Sequence, residues 1–130
     1  MFNFSKRSLK NLDKVHPLLV GVVVRALSIS EVDITVTEGI RNIERQRKLV
    51  AEGASKTMNS LHLPQADGFS HAVDLAAYVG GISWEWKYYY MLADAMKQAA
   101  KELNVEIEWG GDWKTFKDGP HFQLSKKYRD

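Results

Sequence analysis

Apolar and polar positions change period several times along this chain, and each change predicts an element. From Ser5 to Leu12, and again from Pro17 to Leu27, the apolar residues wrap a helical face, with Pro17 suited to a first turn. The run Val20-Gly-Val-Val-Val24 contains strand-favouring residues, yet its positions continue that face and predict helix. Val32 to Thr37 alternates as a half-buried strand does, and Glu38-Gly39 ends it. Helical spacing returns from Ile43 to Glu52, with Ile43, Gln46 and Val50 along one side. Gly53 to Asn59 is small and polar, hence loop. Ala72 to Val79 is apolar apart from one acid and reads as a buried strand closed by Gly80-Gly81. Ser83 is the expected cap of a long helix, Trp84 to Leu103, whose Trp84, Tyr88, Met91, Leu92, Ala95 and Ala99 recur at helical intervals. Val105 to Trp109 and His121 to Leu124 are short strands, separated by a turn at Gly110-Gly111. This order predicts an α+β fold with one small, mostly antiparallel sheet packed against helices.

Length and composition narrow the function more by exclusion than by direction. The 130 residues fit a single domain, 1–130, with a core that needs no staples. A net charge of +2 is too mild to argue for nucleic acid, though it suits an acidic polymer such as a cell wall. The absence of cysteine excludes disulfides and thiolate metal sites, so a metal would have to be held by His, Asp or Glu. The longest apolar stretch, Leu18 to Val24, is too short to cross a bilayer, and the first residues carry no apolar run suited to a secretory signal. The expectation is a protein made in the cytoplasm that depends on something else to act outside it.

The candidate chemistry lies in two segments, Ser60 to Asp74 and Asp118 to Leu124. Asp74 interrupts an apolar strand, where a bare carboxylate is costly unless paired or metal-bound. Zinc catalysis takes three protein ligands and leaves a further position for water, and His62, Asp74 and His121 can supply them. His71 is the rival ligand. On a strand, residues three apart face opposite sides, which turns His71 away from Asp74; on a helix the same spacing would bring them together. The strand reading therefore favours His62. Pro120 holds Gly119 extended, so Asp118 and His121 enter the last strand from a turn, with Asp118 placed as general base. Arg41 follows a strand end and a glycine, where active-site residues are often presented, whereas Arg45, Arg47 and Lys48 read as a solvated helix face. His16 reads as a surface or capping histidine, and the aromatics from Trp86 to Tyr90 as packing.

These motifs resemble the LAS group of zinc peptidases, which comprises D-alanyl-D-alanine carboxypeptidases, vancomycin-resistance D,D-dipeptidases and phage L-alanyl-D-glutamate endopeptidases. The family signature Ser-x-His-x-x-Gly-x-Ala-x-Asp, then Asp/Glu-x-x-His, is matched by Ser60-Leu-His62, Ala72-Val-Asp74 and Asp118-Gly-Pro-His121. Thr37-Glu-Gly-Ile-Arg41, Glu44-Arg-Gln46 and Trp109-Gly-Gly-Asp-Trp113 extend the likeness over residues 33 to 125. The sequence departs from the signature between His62 and Asp74, with five more residues than usual and Ser70 at the glycine position. The resemblance implies a hedgehog/D,D-peptidase-like fold, zinc on His62, Asp74 and His121, Asp118 as base and Arg41 as polariser of the scissile carbonyl. It also implies that Ser60 and Trp113 contact substrate, with Trp109 and Asp112 beside them along the cleft. The implied activity is a phage endolysin cutting the L-alanyl-D-glutamate bond of bacterial peptidoglycan, monomeric, without stable membrane insertion, and released through a holin-made lesion. The alternatives are a D,D-carboxypeptidase or dipeptidase of the same family, or a non-catalytic metal-stabilised wall-binding module.

Overall fold

The structure, a computed structural model, describes residues 2–55 and 57–129. Its elements run α1 (Lys6–Leu12), α2 (Pro17–Ile29), β1 (Asp33–Glu38), α3 (Ile43–Ala51), β2 (Ala72–Tyr78), β3 (Ile82–Ser83), α4 (Trp86–Leu103), β4 (Ile107–Trp109) and β5 (His121–Leu124). Short side chains start three of the helices. Ser5 accepts the Ser8 N–H, His16 accepts that of Leu18, and Asn42 accepts that of Arg45. The strands form one antiparallel sheet in the order β1-β2-β5-β4, with β3 pairing the far end of β2 beside β5.

Strand alternation divides the sheet into a core face and a site face. Val73 and Leu75 of β2, Ile34 and Val36 of β1, and Phe122 and Leu124 of β5 are buried in one apolar cluster. Leu19, Val22, Val23 and Ala26 of α2 join them, as do Leu92, Met96 and Ala99 of α4. Asp74, His121 and Gln123 alternate with these residues and fall on the opposite face. In the register of the sheet Asp74 stands opposite His121. Strict alternation would have placed Glu38 on the core face with Ile34 and Val36. A register shift between Val36 and Glu38 instead sets Glu38 opposite Asp74, re-aiming an acid toward the site as bulges do.

The long helix begins later than its sequence predicts. Ser83 is not its cap: it pairs with Ala77 as the end of β3, and the helix starts at Trp86 after Glu85. Trp84 is accordingly outside the helix and 55% exposed, and Tyr89 rather than Tyr88 enters the core. The hairpin set by Gly80-Gly81 uses the residues that a helix cap would have used. Val105 and Glu106 likewise precede β4 rather than belonging to it.

Gly39 is the tightest joint between scaffold and site. A Cβ there would overlap the backbone carbonyl of Asn11, an atom held by α1 that cannot swing aside. Gly39→Ala is therefore expected to cost about 1–3 kcal/mol, the range of overpacked positions. A fall in Tm of several degrees in thermal denaturation checks this, and an unchanged Tm would contradict the contact.

Candidate metal centre

His62 Nε2 lies 3.2 Å from Asp74 Oδ1, and His121 Nδ1 lies 3.4 Å from the same oxygen. The three ligand atoms lie within 4.8 Å of one another. Both imidazoles are buried, and their ring centroids are 5.2 Å apart. Each remote nitrogen has its own acceptor. His62 Nδ1 donates to the Gly39 carbonyl at 2.8 Å, and His121 Nε2 donates to Gln123 Oε1 at 2.8 Å. With those protons fixed, the neutral rings turn two lone pairs toward one carboxylate oxygen. Three acceptors facing each other repel unless a cation or a proton lies among them, so this donor set fits a divalent metal such as zinc. Without a metal a proton fills part of that role: burial opposes it, but the Asp74 carboxylate raises the His121 pKa above its ordinary value. The Asp74 carboxyl is itself held far below the usual range, because the two histidines outweigh the cost of its burial.

A second histidine–aspartate trio, His16, Asp67 and His71, has comparable spacing but the wrong supporting bonds. His71 Nε2 bonds Asp67 Oδ2 at 2.7 Å, and its buried Nδ1 has no hydrogen-bond partner among the described residues. His16 Nδ1 accepts the Leu18 N–H, which leaves its proton on Nε2. Metal on both Nε2 atoms would put an N–H at each Nδ1, one against a donor and the other against nothing. This trio is a hydrogen-bonded clamp. It ties the longer 63–70 loop to the N-terminal segment, with the His16 N–H bonded to the Ser70 carbonyl at 2.9 Å. His71 thus lies on the other side of β2 from His62, as strand parity predicts.

Asp118 and His121 share one tight turn, closed by the His121 N–H on the Asp118 carbonyl at 3.2 Å. Gly119 sits against the Tyr89 ring with no room for a side chain, and its carbonyl accepts Trp109 Nε1–H at 2.7 Å. Trp109 is therefore a buried clamp on the turn rather than a cleft wall. Asp112 also stands off the cleft, paired with Lys97 at 2.8 Å. Trp113 does line the cavity, its ring 5.3 Å from that of His121. Burial and then the nearby Asp74 charge push the Asp118 carboxyl pKa up.

Arg41 is buried at the cavity wall. Its Nε and Nη2 bond the two carboxylate oxygens of Glu38, at 2.9 and 2.5 Å, and Nη1 bonds Gln46 Oε1 at 2.8 Å. Nη2 also faces Asp74 Oδ2 at 3.8 Å. The Ser60 hydroxyl accepts the His62 N–H at 3.1 Å and stands 3.5 Å from Arg41 Nη1, so it links the arginine to the first histidine. Glu38, Gln46, the Gly39 carbonyl and Gln123 were not singled out as site residues by the sequence reading. Gln123 had a usable signal, since two residues beyond His121 on a strand is the same face. The His62–Asp74–His121 cluster, Asp118, Trp113 and Arg41 all open onto one cavity of about 550 Å³.

Comparison with known proteins finds relatives over nearly the whole chain. The family model described as phage L-alanyl-D-glutamate peptidase matches residues 1–126. The L-alanyl-D-glutamate peptidase of Escherichia phage T5 is 34% identical over 114 residues, covering 86% of this chain and 82% of that one. The Listeria phage A118 peptidase of the same name is 33% identical over 127 residues, covering 95% of this chain and 43% of the relative. The crystal structure of the Serratia marcescens L-Ala D-Glu endopeptidase ChiX superposes with a TM-score of 0.89 at 46% identity, covering 100% of this chain and 95% of ChiX. The vancomycin-resistance D,D-dipeptidase VanXYg shares the fold, with a TM-score of 0.51 at 14% identity over 85% of this chain and 50% of its own. With its α+β sheet and the family model matching nearly its whole length, the chain belongs to the phage L-alanyl-D-glutamate peptidase family.

Proposed function

We propose that this chain is a zinc-dependent peptidoglycan endopeptidase of the phage endolysin type, hydrolysing the L-alanyl-D-glutamate bond of stem peptides. The observation that carries the metal chemistry is the pair of anchored imidazoles, each with its remote proton fixed and its free nitrogen turned to Asp74. His62, Asp74 and His121 would hold the zinc. When bound, the ion supplies Lewis acidity toward the peptide carbonyl and the attacking water.

The chain's own residues account for the rest. Asp118, poised by its raised pKa, takes a proton from the attacking water and returns it to the leaving amine. Arg41 offers an Nη2 hydrogen beside Asp74 to the carbonyl oxygen as negative charge grows there. Glu38 and Gln46 hold the guanidinium in place, so little reorganisation accompanies the reaction. Ser60 keeps His62 and Arg41 in register, and Trp113 gives substrate an apolar wall. No helix among the described residues is long and apolar enough to cross a membrane. A monomer reaching the wall through a holin-made lesion completes the reading.

Digestion of purified peptidoglycan followed by identification of the new termini tests it. Free D-glutamyl amines are the expected product. Released D-alanine would point instead to a carboxypeptidase or dipeptidase, and wall binding without solubilisation would point to a non-catalytic module.

A further inference from the structure

The cavity beside the metal centre is lined by three carboxylates, Glu38, Asp74 and Asp118, and by two guanidinium groups, Arg41 and Arg129. The two cations differ in their bonding. Arg41 is fixed to Glu38 through two nitrogens, whereas the half-buried Arg129 side chain has no hydrogen-bond or ion-pair partner among the described residues. Its backbone is nevertheless held. A 3-10 turn, Lys126–Tyr128, follows β5, and the Arg129 N–H closes on the Lys126 carbonyl at 3.0 Å. Within that turn Tyr128 packs on the core and its hydroxyl accepts the Glu106 N–H at 3.0 Å. The turn thus presents a cation of unmet hydrogen-bonding capacity to the cavity from a pinned position. A planar guanidinium in this state suits a carboxylate, which it can bind through two parallel N–H bonds.

The substrate class supplies such a group. A glutamyl residue joined to alanine through its amine and extended through one carboxyl keeps the other as a free carboxylate. That carboxylate lies on the leaving-amine side of the scissile bond. We infer that Arg129 binds the free carboxylate of this glutamyl residue and so sets a preference for an acidic over a neutral residue there. The inference rests on the endopeptidase reading above and adds a residue that selects the substrate.

Two synthetic stem peptides test it, one with the free glutamyl carboxylate and one with that group converted to a primary carboxamide. kcat and KM are measured for the zinc-loaded wild type, Arg129→Gln and Arg129→Lys, with Tm and zinc content followed in parallel. The wild type should prefer the carboxylate by about tenfold to a hundredfold in kcat/KM, the size of a charge-assisted bond, and mostly through KM. Arg129→Gln should lose most of that preference while cleaving the carboxamide peptide as before. Arg129→Lys, with charge but no fork, should fall between, and it decides the matter if the Gln variant fails to fold. A wild type without preference, full preference in Arg129→Gln, or equal losses on both peptides would overturn the inference alone. Cleavage of neither peptide by the wild type would overturn the endopeptidase reading and the inference with it.

Discussion

Asp118→Ala is expected to lower kcat by about a hundredfold to ten-thousandfold, the usual contribution of a positioned general base. It should leave zinc content and Tm close to wild type, because among the described residues the Asp118 carboxylate makes no hydrogen bond to the scaffold. What holds the turn is backbone and Trp109: the Asp118 N–H on the Gly110 carbonyl, the His121 N–H on that of Asp118, and Trp109 Nε1–H on that of Gly119. The pH profile carries the same assignment. A base must be ionised to accept a proton, and burial beside Asp74 raises the Asp118 pKa. Activity should therefore fall on the acid side at a pH above the free aspartate value of about 3.9. Undiminished turbidity clearing by the Ala variant at equal zinc content would reject the assignment.

His121→Ala should abolish both zinc binding and lysis. The substitution removes one of three donors and also leaves the Gln123 amide oxygen without its N–H. Loss of an outer partner alone costs roughly tenfold to a hundredfold in metal affinity, so loss of the ligand itself should exceed that range. Proton competition acts in the same direction. Asp74 favours the protonated His121, and metal binding must displace that proton, so zinc affinity should weaken as pH falls through the raised histidine pKa. Isothermal titration at two pH values reads both effects. Equal zinc affinity in wild type and His121→Ala would remove this residue from the centre.

Much of the site was legible because strand period alone assigns faces. Asp74 in an apolar run marks a strand, parity separates His71 from it, and two residues of offset put Gln123 beside His121. The rest depends on contacts that no local pattern encodes. Glu38 reaches the site through a bulge, which reverses the face that alternation would give it. Trp109 looks like a cleft residue by its neighbours, yet its indole N–H is needed by the Gly119 carbonyl inside the core. Ser83 has the chemistry of a helix cap, but the Gly80-Gly81 turn folds it back onto β2 first. His16 could be read as a capping residue, and it is one; its place beside Asp67 depends on a loop crossing from about fifty residues away and has no signature in the sequence.

The whole account turns on which imidazoles face a shared cation. Elemental analysis after dialysis against zinc, run in parallel on wild type, His62→Ala and His71→Ala, reads this directly. Bound zinc retained in wild type and His71→Ala but lost from His62→Ala is the predicted result. Zinc lost from His71→Ala and kept by His62→Ala would contradict it.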